Sequence, residues 1–174
     1  MKIELKIDFN KTQEQIPVIK DFLPQIKKVG MYYYWPFDNS TDTATKQMIE
    51  SDINDPVFLS KFQQLCSAWS NLETEITVAI KEIVAKQNDV ELLDSYQCYI
   101  LPYGCYGYYN PPNEIFINIR DAEINHILET IIHELLHLIF IKQVNKKSHH
   151  ELEQFIDDFF TSKELQKIFP NYKH

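Results

Sequence analysis

The residues best suited to chemistry are His133, Glu134 and His137, which fall in the run His133-Glu134-Leu135-Leu136-His137. Residues four apart on a helix share a face, so the two imidazoles can point at one spot. That spacing lets two nitrogens bind a single zinc ion at about 2.0–2.1 Å. Glu134 stands roughly 100° further round the helix, where its carboxylate meets a zinc-bound water rather than the ion. Zinc brings the pKa of such a water toward about 7. A neighbouring carboxylate then takes the proton as the oxygen attacks a carbonyl, and passes it to the leaving amine.

The helix carrying these residues reads as buried. Ile127, Leu128, Ile131, Ile132, Leu135, Leu136, Leu138, Ile139 and Phe140 make it apolar nearly all round. His126, Thr130, His133 and His137 form one narrow polar stripe. Buried polar groups need partners, and a metal supplies one. His126 is out of range of the same ion, since seven residues of helix rise about 10 Å; it belongs at the helix start or surface. The helix is expected to begin after an Asp121 N-cap and to run to about Ile141.

A tetrahedral catalytic site needs a third protein ligand and an open position. Downstream stand His149, His150, Glu151, Glu153, Asp157 and Asp158. Leu152, Phe155, Ile156 and Phe159 mark a second amphipathic helix, and Glu153 and Asp157 share a face along its apolar stripe. One of these carboxylates can bind zinc while the other accepts a ring N–H from a histidine. Donors able to steady an oxyanion are Tyr106, Tyr108, Tyr109, His149 and His150.

The histidine motif, followed by Glu153-Gln154-Phe155-Ile156-Asp157 on the next helix, resembles the gluzincin branch of zinc metallopeptidases. The resemblance covers residues 114–160. It implies a zincin-like domain with one Zn2+ per chain, peptide-bond hydrolysis with Glu134 as general base, Glu153 as third ligand and Asp157 supporting a histidine. The connector is short, and the asparagine usual just before the ligand glutamate is absent, which leaves Glu151 as an alternative ligand. The resemblance also implies an edge strand ahead of the active-site helix that pairs with an extended substrate, a place that 114–119 fills. A different class is a catalytically silent zincin-like domain that binds a peptide or partner protein. Glu134 speaks against it, because a structural metal site does not need that carboxylate. A metal-free helical interaction domain is disfavoured by the polar stripe.

The remaining elements must position this pair of helices. Residues 2–9 alternate Ile3, Leu5, Ile7 and Phe9 on one side, the pattern of a strand rather than of a continuous apolar leader. A helix is expected at about 15–28, carrying Ile16, Ile19, Phe22, Leu23 and Ile26 on one side with a break or kink at Pro24. Residues 30–55 read as irregular, with an aromatic run at 32–35 covering a core edge and a polar cluster at 38–41. A long amphipathic helix follows at about 56–87. A strand at 96–101, a turn-rich stretch at 102–112 and a half-buried strand at 114–119 come next, and a short helix at 163–168 closes the chain. The fold class is α+β, one domain over 1–174. A small mixed sheet packs on the active-site helix, the long amphipathic helix and a C-terminal glutamate-bearing helix.

Lysine and arginine total 17 against 25 acidic residues, a net charge of −8. That balance argues against nucleic acid or an anionic membrane as partner and leaves a peptide or protein substrate open. The apolar run at 135–141 is far short of the roughly 20 residues of a membrane span. The three cysteines read as free thiols in a reducing cytosol, so a cytoplasmic location is expected.

Overall fold

The computed structural model describes residues 1–37, 42–144 and 148–172; the polar cluster at 38–41 and most of the connector after Val144 lie outside them. Among the described residues the fold is mixed α and β, with a four-stranded sheet and seven helices. Strand β1 (Lys2–Lys6) is shorter than its alternation suggests. Asp8 caps the first helix by accepting from the Lys11 N–H, which pulls Phe9 into that helix.

Helix α1 (Phe9–Val29) continues through both Pro17 and Pro24, so of the expected break or kink at Pro24 the break does not occur. It ends at Gly30, whose φ of 72° is a left-handed stop that a side chain would strain. Thr12, Gln15, Ile19, Leu23 and Ile26 are its buried residues, while Phe22 turns outward rather than joining them. Helix α2 (Asp42–Ile53) occupies part of the stretch read as irregular. Its pattern is weak, but Ile49 is fully buried and packs with Phe37 and Tyr103. Helix α3 (Pro56–Val84) has Pro56 in its first turn and Asp55 capping Val57 and Phe58.

Strands β2 (Ser95–Leu101), β3 (Gly107–Asn110) and β4 (Glu114–Asn118) complete the sheet, in the order β1-β2-β4-β3. β1, β2 and β4 run parallel, and β3 folds back antiparallel on β4. Parallel pairing of β1 and β2 needs a crossover, which α1 to α3 provide. β4 is therefore interior and buried on both faces, not a half-buried edge. The edge beside it is β3, found inside the stretch read only as turns.

The sheet separates two apolar layers. Cys98, Ile100, Ile115 and Ile117 point into the main core with α3 and helix α4 (Ile124–Ile139). Tyr99, Leu101 and Phe116 point the other way, against Ile19 and Leu23 of α1. α4 starts later than expected: Glu123 is its N-cap without a side-chain bond, and Asp121 instead accepts a short hydrogen bond from the Tyr32 hydroxyl. Tyr32 stacks on Tyr106, while Tyr33 and Trp35 cover the second core. Short helix α5 (Ile141–Val144) leads to α6 (His149–Phe160) and α7 (Lys163–Gln166). α6 packs Ile156 and Phe160 into the main core, and Phe155 and Phe159 against Phe140. No helix among the described residues is long and apolar enough to cross a membrane. The cysteines are free.

Candidate metal centre

Helix α4 is anchored by its apolar residues, so the direction of its polar stripe is fixed. His133 and His137 emerge toward α6, whose amphipathic seating turns Glu153 back at them. The two Nε2 atoms are 3.0 Å apart, and Glu153 lies 3.0 Å from His133 Nε2 and 3.6 Å from His137 Nε2. Tetrahedral ligands about 2.1 Å from one ion stand about 3.4 Å apart, so these donors need only small adjustments to hold zinc. They are the one group of three among the described residues whose ligand atoms all lie within 4.8 Å of one another.

The hydrogen bonds around His133 sharpen this reading. Tyr172 donates its hydroxyl hydrogen to Asp157 at 2.6 Å, and its oxygen lies 3.3 Å from His133 Nδ1. Asp157 itself is 3.7 Å from that nitrogen. A proton on Nδ1 is thus held by a tyrosine backed by a carboxylate, which leaves Nε2 as a lone-pair donor facing Glu153. Two acceptors that converge in this way need a cation or a proton between them. Without metal a proton serves: burial alone would depress the His133 pKa, but Glu153, Glu134 and Asp157 raise it above the usual value. Burial likewise pushes against ionised Glu153, yet the hydrogen bonds of His133 and His137 hold its carboxyl well below the normal range. Burial lowers the pKa of His137, keeping that imidazole neutral and able to ligate. Its Nδ1 finds no hydrogen-bond partner among the described residues, and its ring stacks on Tyr109 at 5.0 Å.

Glu134 is 9% exposed and lies beneath β3. A Cβ on Gly107 would stand 3.0 Å from Glu134 Oε1 and 2.6 Å from Thr130 Cγ2, so only glycine lets the strand approach α4 this closely. Burial pushes the Glu134 pKa up to about 7, with His133 pulling it down and Glu153 pushing it up. That is the range in which a carboxylate both accepts and returns a proton at neutral pH.

These groups share a cleft of about 550 Å³, lined also by Tyr106, Tyr108, Tyr109, His126 and His149. His149 is largely exposed, with Nδ1 3.4 Å from Glu153. His150 is exposed and does not line the cleft. Glu151 sits apart, accepting from the Ser148 N–H and hydroxyl in the capping box that starts α6. The capping box gives the glutamate at 151 a structural role at the start of α6. Asp158 accepts from Gln154 on the exposed side of α6. His126 lies at the cleft's far end, edge-on to Tyr106. Sequence reasoning missed Tyr172 and Gly107. Tyr172 is 39 residues from His133, beyond any local pattern. Gly107 carried one faint signal, as one of only three glycines in the chain. Comparison of the chain with protein-family models, curated proteins and solved structures finds no match.

Proposed function

We propose that this chain is a zinc-dependent hydrolase of gluzincin type, cleaving peptide bonds in an extended peptide or protein, in the cytoplasm. The observation that carries the reading is the convergence of His133, His137 and Glu153 beside a buried Glu134 under an open strand edge. His133 and His137 through Nε2, with Glu153, would hold the ion. When bound, zinc supplies Lewis-acid chemistry, polarising a carbonyl and acidifying water.

The chain's own residues do the rest. Glu134 takes the proton of the attacking water and delivers it to the leaving amine nitrogen, so the carboxylate ends each cycle as it began. Asp157, through Tyr172, fixes the His133 tautomer and ring orientation. Tyr109 and His149 line the same cleft and are the donors that would steady a developing oxyanion. Glycine at 107 brings the β3 edge over Glu134, and an extended substrate can add to that edge by main-chain hydrogen bonds.

The test is hydrolysis of a peptide mixture by the zinc-loaded chain and by Glu134→Gln. Cleavage by the native chain that falls by about 10²–10⁴-fold in the variant, at unchanged zinc content, supports the reading. Cleavage that survives in Glu134→Gln overturns it.

A further inference from the structure

A second cavity of about 330 Å³ lies on the opposite face of the edge strand from Glu134. Ile19, Phe22, Ile26 and Val29 of α1 line it, closed by Met31 and by Tyr108 of β3. Phe22, Val29 and Met31 are 49%, 67% and 51% exposed, an unusual display of large apolar groups side by side. The cavity adjoins the metal centre, since Met31, Tyr108 and His149 line both. His149 is at the same time 3.4 Å from Glu153, so one side chain separates the apolar pocket from the proposed ligand set.

The backbone of β3 relates the two cavities. The carbonyl of Tyr106 accepts from the Asn118 N–H, facing inward to β4. By the alternation of an antiparallel ladder, the backbone groups of Gly107 and Tyr109 then face outward, and no described strand pairs with them. The side chains alternate too. Tyr108 stacks on Phe116 toward α1, whereas Tyr109 stacks on His137 toward α4. A peptide strand added to this edge repeats the same alternation, with successive side chains on opposite faces.

Building on the hydrolase reading, we propose that the substrate is an extended peptide with a bulky aliphatic or aromatic residue next to the bond presented to Glu134. That side chain enters the pocket of α1, while its neighbour faces the metal centre. The pocket is lined mainly by apolar side chains and is large enough for a leucine or phenylalanine, and no lysine or arginine is among its described lining residues.

The experiment separates binding from turnover. Fluorescently labelled alanine heptapeptides, one with a single central phenylalanine and one without, are titrated by anisotropy into the full chain carrying Glu134→Gln, so that the probe is not consumed. The phenylalanine peptide is expected to bind at least ~10-fold more tightly. Phe22→Ser with Val29→Ser, both outside the metal-centre cleft, should cut that preference to under ~3-fold and leave the all-alanine affinity unchanged. Phe22 and Val29 are 49% and 67% exposed, and Val29→Ser alone serves as a second variant should the pair disturb folding. Equal binding of the two peptides, or a preference that survives in the variants, overturns the proposal. A binding preference without any cleavage by the native chain would instead sink the hydrolase reading and leave the pocket standing.

Discussion

The hydroxyl of Tyr172 decides which nitrogen of His133 faces Glu153, because it offers an acceptor to Nδ1 while donating to Asp157. Tyr172→Phe keeps the ring that stacks on Phe160 and removes only this link. Zinc affinity, measured by competition with a chromogenic chelator, should fall about 10–100-fold. An unchanged affinity would mean that Asp157 orients the imidazole directly. At this scale the sequence was informative where chemistry follows from local spacing. The four-residue step places His133 and His137 together, and the helical period places Glu153 and Asp157 on one face of α6. The choice of Glu153 over Glu151 rested on the family resemblance, and the structure adds a physical reason in the Ser148 capping box. Tyr172 was illegible because it reaches the site only after α7 has turned the chain back.

Among the elements, β3 matters most and was least visible. Its four residues, Gly-Tyr-Tyr-Asn, show no apolar alternation, since tyrosine serves both faces of an edge. Gly107→Ala should therefore act well beyond the size of a methyl group. The added carbon collides with Thr130 and with the stem of Glu134, so β3 must lift from α4. A loss of about 1–3 kcal/mol in chemical denaturation is expected, with a larger proportional loss of hydrolysis than of zinc binding. Ser148→Ala removes the cap of α6 and should cost about 1 kcal/mol, without removing any ligand. The parallel strands and the long helices were readable because their burial is periodic or continuous. Helix α2 was not, because little beyond Ile49 and its neighbours commits it to the core.

For the whole molecule, metal, protons and stability are linked. His133 has a raised pKa in the metal-free fold, so its proton contributes stability that is full below the unfolded value of about 6.5 and is lost as pH rises through the raised value. Zinc needs the same nitrogen deprotonated, so its affinity grows over that same interval. Melting temperatures with and without zinc should converge at about pH 5.5 and separate toward about pH 8, where a hundredfold excess over the dissociation constant adds about 2.7 kcal/mol. A gap that narrows with rising pH would contradict the arrangement. The most direct measurement of the central claim is zinc content by elemental analysis on tag-free native chain, Glu153→Gln and Glu151→Gln. The account predicts about one zinc per native chain, retained in Glu151→Gln and lost in Glu153→Gln. A native chain that holds no zinc even after the metal is added back, or a Glu153→Gln chain that holds it undiminished, would contradict it.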